Sequence, residues 1–176
     1  MVTIRDPISF ARQRPHHFLT NTANISHTTT GAWQAITWNT EIPDEPNGHG
    51  TANSFITCQV SGLYDIRCQV LWQANATGGR ALRLINHGAT SIGGVATNGT
   101  LVHVGMMSSC MTPDGAAFTL NTVESAQEVS CKRLLQAGDA VRVEAFQNSG
   151  GALNMLADYA ATQIHSYFSL RWQASI

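Results

Sequence analysis

The sequence predicts an all-β protein: two antiparallel sheets packed as a sandwich of about ten strands, preceded by an extended N-terminal arm. Three observations predict it. Apolar residues recur at every second position in the longest patterned segments. Clusters of Gly, Pro, Asn and Asp interrupt those segments at short intervals. Only 12% of the residues are charged, with Lys132 the single lysine, so the Glu and Lys that a long solvated helix needs are missing.

The first thirty residues differ from the rest. Residues 1–20 hold Arg5, Arg12 and Arg14 against Asp6 alone, and Pro7 and Pro15 break any helix. The polar run TNTANISHTTTG follows without periodicity. Residues 1–30 therefore read as an extended anchoring arm, with Ile4, Arg5, Ile8, Phe10, Arg12, Arg14 and Phe18 as its points of attachment to a partner. Residues 31–176 read as the sandwich domain. Within it, residues 62–73 place Tyr64, Ile66, Cys68, Val70 and Trp72 on one face. Asp65, Arg67 and Gln69 take the other face, bounded by Leu63 and Leu71, the pattern of a half-buried strand. Residues 141–147 set Val141, Val143 and Ala145 against Arg142 and Glu144. The C-terminal run sets Ile164, Phe168, Leu170 and Trp172 against His165, Tyr167, Ser169 and Arg171. Residues 80–85 and 117–122 are shorter candidates, and residues 153–161 offer the one short helical alternative.

Composition limits the function classes. A length of 176 residues is one domain's worth. Thr, Ser, Asn and Gln fill 52 positions, and the net charge is −1. No electrostatic basis exists for binding nucleic acid. No run of 18 apolar residues exists to span a membrane, and residues 1–18 have no apolar signal core. The expectation is a protein made in a host cytoplasm without a signal peptide. Cys58, Cys68, Cys110 and Cys131 have no metal-type spacing and read as free, mostly buried thiols.

The segments NSFITCQVSGLYDIRCQVLWQ (53–73), LLQAGDAVRVEAFQ (134–147) and SYFSLRW (166–172) occur in an order that resembles the globular head of the first complement component's q subunit. More loosely, they resemble the tumour necrosis factor superfamily. The resemblance covers residues 31–176 and implies a two-sheet jelly roll and a homotrimer. It also implies that one sheet, holding the strands at 62–73, 141–147 and 164–173, lies near the threefold axis. On those strands Leu71, Phe146 and Tyr167 fall opposite the core and are the candidate trimer interface. The family's calcium ligands have no counterpart that can be placed here, and no collagen-like stalk is present.

Catalytic chemistry finds little support. No GxSxG, HExxH or phosphate-loop motif occurs. His16 and His17 are adjacent, so on a strand they point to opposite faces. Asp139 follows Gly138 and reads as a turn cap. Asp44 and Glu45 read as a solvated acidic loop. The sequons at Asn24, Asn75 and Asn98 read as unmodified. The expected protein is no enzyme and has no metal or cofactor. It is a homotrimeric decoration (minor capsid) protein on the surface of a bacteriophage head, bound to the major capsid or another virion protein through its arm. The alternative reading is a trimeric receptor-binding tip or adhesin that recognises a host-surface ligand through its loops.

Overall fold

The computed structural model describes residues 15–28, 31–41, 53–75, 77–87, 100–107, 124–157 and 166–175. These residues form twelve strands and no helix. They are β1 (His16–Thr20), β2 (Ile25–His27), β3 (Trp33–Ala35), β4 (Thr40–Glu41), β5 (Phe55–Thr57) and β6 (Gly62–Trp72). After these come β7 (Arg80–Asn86), β8 (Thr100–Met107), β9 (Ser125–Leu135), β10 (Ala140–Gln147), β11 (Leu153–Leu156) and β12 (Tyr167–Ala174). The strand near residue 117 anticipated from sequence lies outside the described residues.

A seven-stranded antiparallel sheet is built around β6. One edge of β6 pairs with β9 along its whole length, Gly62 opposite Leu135 to Trp72 opposite Ser125. Its other edge is shared. β12 pairs with residues 63–69 and β11 with residues 71–72. Beyond β12 lie β1 and β4, and beyond β11 lies β2. The second sheet has five strands around β10, which takes β7 on one edge and β5 and β3 on the other, with β8 outside β7.

The alternation read from the sequence is the alternation that packs. Tyr64, Ile66, Cys68, Val70 and Trp72 face inward from β6 and are fully buried. From the second sheet Val141, Val143, Ala145, Leu82 and Leu84 meet them. Phe168 and Leu170 of β12 complete the layer, with Trp38 against Phe168 at 6.1 Å. Each such side chain contributes about 1.5–3 kcal/mol by leaving water. Residues 153–156 form strand β11, because Leu153 and Met155 alternate inward with Asn154 and Leu156.

The stretch expected to be all arm supplies two strands. In β1, His17 and Leu19 point into the core while His16 and Phe18 point out. β1 pairs with β12, and β2 pairs with β11. A boundary at residue 30 therefore does not separate arm from sandwich. Two buried histidines hid the alternation, since each needs a tertiary partner to be buried at all. His17 Nδ1 lies 2.5 Å from Glu41 Oε1 on β4. His27 Nε2–H donates to the Ala145 carbonyl at 2.8 Å and so ties the first sheet to the second. Of the predicted attachment residues, Ile4, Arg5, Ile8, Phe10, Arg12 and Arg14 lie outside the described residues, and Phe18 is a strand residue.

Turn chemistry follows the sequence. Asp139 Oδ2 accepts from the Gln136 N–H at 3.0 Å and from Asn86 Nδ2 at 3.2 Å. Gly138 beside it takes a φ of 92°, a conformation open to glycine. Cys58, Cys68 and Cys131 are free thiols, and Cys110 lies outside the described residues. Burial, with the Asp139 carboxylate adding to it, pushes the Cys58 thiol up to about 12. Cys68 and Cys131 sit diagonally across β6 and β9, since Ile66 faces Cys131 and Cys68 faces Val129. Diagonal positions lie beyond disulfide reach.

Candidate self-association face

The outer face of the seven-stranded sheet is formed by the outward residues of β9, β6, β12 and β1. The register sets them in rows. Leu134 lies beside Leu63. In the next row stand Lys132, Asp65, Arg171 and His16. Below these lie Ser130, Arg67, Ser169 and Phe18. Glu128, Gln69 and Tyr167 follow, and then Ala126, Leu71 and Leu156.

This face is apolar at both ends and ionic in the middle. At one end Tyr167 and Phe18 stack at 5.2 Å with their planes 16° apart. Leu71 and Leu156 lie beside Tyr167 where β11 and β12 abut along β6. Ser166 closes that notch: its Oγ–H donates to the Leu156 carbonyl at 2.6 Å, and its Oγ accepts the Leu71 N–H at 3.0 Å. The Tyr167 hydroxyl is pushed up from its ordinary value, first by burial, then by the Glu128 carboxylate and the Cys68 thiol, with Arg67 opposing. At the other end Leu134 is 56% exposed, and Val60, in the turn before β6, is 45% exposed. They are the exposed large hydrophobics among the described residues.

Leu71 and Tyr167, two of the three predicted interface residues, meet at one end of this face, and Phe18 joins them. Phe146 does not. It stands on β10 in the five-stranded sheet, against Trp33 at 5.5 Å. Strand β10 pairs with β3, β5 and β7 and with neither β6 nor β12. The placement of all three strands side by side is therefore corrected. Around Phe146 two guanidinium groups share one carboxylate: Glu144 binds Arg83 Nε at 2.7 Å and the Arg142 guanidinium, and Arg83 lies 4.3 Å over the Trp33 ring. Leu134 and Val60 were missed by sequence reasoning. Leu134 sits inside the motif that carried the family resemblance, yet only its register partner Leu63 places it on the outer face.

No group of three or more His, Cys, Asp or Glu side chains suited to a metal occurs among the described residues. Two of the buried histidines, His17 and His27, serve the fold.

No protein-family profile matches the chain, and no curated protein matches it in sequence. Solved structures do match. Eiger TNF from S. frugiperda superposes with a TM-score of 0.62 at 15% identity, over 93% of this chain and 94% of that one. The fold is TNF-like. Murine APRIL superposes with a TM-score of 0.61 at 10% identity, over 92% of this chain and 100% of that one. The globular domain of zebrafish complement 1qA gives 0.49 at 16% identity, too loose an overlay to bear on the fold.

Proposed function

We propose that this chain is a non-catalytic structural protein that closes as a homotrimer through the outer face of the seven-stranded sheet. Residues 1–14 then tether the trimer to a larger assembly, a bacteriophage head surface that it decorates. The observation that carries the reading is that face, with the Tyr167–Phe18 pair, Leu71 and Leu156 at one end, all half-buried within the chain, and Leu63 with the exposed Leu134 at the other. Its extent is modest. Strands β6 and β9 of eleven residues, β12 of eight and β1 of five, at about 3.4 Å per residue and about 4.8 Å per strand, outline roughly 570 Å², short of the ~800 Å² per partner of a standard-size interface. A threefold ring needs a heterologous contact, in which one edge of the face meets the other edge of the next copy.

The tether reading rests on residues 1–14, which carry the apolar Ile4, Ile8 and Phe10 together with Arg5, Arg12 and Arg14. Apolar anchors with arginine suit a groove on a protein surface. The chain joins the sheet at Pro15, whose carbonyl accepts the Trp172 N–H at 3.0 Å. Pro15 lies at the Leu63–Leu134 end of the face, which supports a tether leaving from there. Three tethers on one trimer multiply a weak attachment.

The test is deletion of residues 1–14, stopping short of strand β1, followed by co-sedimentation with assembled shells. The expected result is an intact trimer that no longer sediments with shells. Attachment without these residues overturns the tether. A full-length protein that ignores shells and binds host cells favours the receptor-binding tip instead.

A further inference from the structure

The middle of the same face holds more positive charge than it can neutralise. Asp65 is one carboxylate flanked in register by Lys132 and Arg171, and its Oδ2 already accepts from both Arg67 Nε and Arg67 Nη2 at 3.1 Å. The only further carboxylate placed on this face among the described residues is Glu128, one row beyond Arg67 and opposite Gln69. Three cations thus face two carboxylates. The chain as a whole has a net charge of −1, so this excess is local.

Arg67 stands on β6, between β9 and β12, and its side chain is 54% exposed. Its two register neighbours are Ser130 and Ser169, both small and both hydroxyl-bearing. Arg67 therefore rises above its row, with the exposed Ser130 on one side and the buried Ser169 on the other. Closing three copies over this face would bring three such excess charges together out of water. Buried like charges without a counter-ion are strongly disfavoured. A guanidinium fork, with several N–H donors left after Asp65 is served, matches a tetrahedral oxyanion.

We propose that the trimer holds one inorganic oxyanion of the phosphate or sulfate class on its threefold axis, gripped by Arg67 of each copy with the exposed Ser130 hydroxyl as a supporting donor. This rests on the trimer reading above. A site enclosed on the axis admits a free anion and excludes the same group on a polymer.

The test uses full-length protein purified without phosphate or sulfate. Inorganic phosphate is titrated in by calorimetry, and the mass is followed by light scattering. The expected result is one phosphate per three chains and a trimer that persists to lower protein concentration when phosphate is present. Arg67→Gln should lose binding by about 100-fold or more and make the mass independent of phosphate. Ser130→Ala should weaken binding by roughly 3–10-fold, the worth of one hydrogen bond. A short oligonucleotide should not compete. A wild-type trimer that binds no phosphate, binds one per chain, yields it to the oligonucleotide, or binds unchanged in Arg67→Gln overturns the axial site and leaves the trimer standing. A monomer mass with and without phosphate overturns the trimer, and the site with it.

Discussion

Replacing Tyr167 by aspartate tests which face assembles. An aromatic side chain buries about 150–250 Å² when fully covered, and Tyr167 is half-buried in the single chain. Roughly 100 Å² is left for a neighbouring copy. At about 25 cal/mol per Å² that is about 2.5 kcal/mol per copy, or some 7.5 kcal/mol over three copies. With a factor of ten for each 1.4 kcal/mol, the dissociation constant of the trimer should rise about 10⁵-fold. The new carboxylate adds repulsion from Glu128, which already bears on the Tyr167 hydroxyl. Within one chain the loss is the half of the ring already buried, about 2.5 kcal/mol, and the stack on Phe18, about 0.5–1.5 kcal/mol more, below the roughly 5–15 kcal/mol of a typical domain, so the sandwich survives. Size-exclusion chromatography with light scattering at micromolar protein should show three chain masses for the wild type and one for Tyr167→Asp. Phe146→Asp is the control on the opposite sheet and should keep the trimer mass. The reasoning is refuted if Tyr167→Asp stays trimeric, or if Phe146→Asp dissociates the protein equally well.

Gly62→Ala should destabilise the fold by about 1–3 kcal/mol in urea unfolding, because a Cβ there would lie 2.3 Å from Trp172 Nε1 and 2.4 Å from the Ala174 carbonyl. Gly151→Ala, with nothing within 4 Å, should stay within about 0.5 kcal/mol of wild type; equal effects would refute the packing argument. Alkali should weaken the protein from about pH 9 upward. Cys58 and Tyr64 are held at about 12 against ordinary values of 9.0 and 10.0, and burial raises Cys68 well above 9.0. The folded chain keeps protons that the unfolded chain releases, so their stabilisation is full below pH 9 and is lost between pH 9 and 12, by at most about 1.4 kcal/mol per pH unit for each proton retained. A urea midpoint equal at pH 8 and pH 10.5 would contradict this.

The all-β class, the inward faces of β6, β10 and β12, and the turn cap at Asp139 were legible in the sequence, because each is local. A strand's side chains alternate whatever it pairs with, and a Gly-Asp turn closes over a few residues. Which strands lie side by side is not local. Nothing within residues 141–147 says that β10 joins β7 rather than β12, so Phe146 could be read as outward but not assigned to a sheet. The same limit hid the strand character of residues 16–20. A buried histidine reads as polar until Glu41, 24 residues later in the chain, is seen to hold it. The self-association face is divided in the same way. Sequence alone marked Leu71 and Tyr167 as apolar side chains on the wrong side of their strands. Only the register of four strands distant in the chain brought them to Phe18, set Leu134 beside Leu63, and placed Arg67 between two serines. Alternation is a property of neighbours along the backbone, whereas a surface is composed across hydrogen-bonded ladders that only the folded sheet defines.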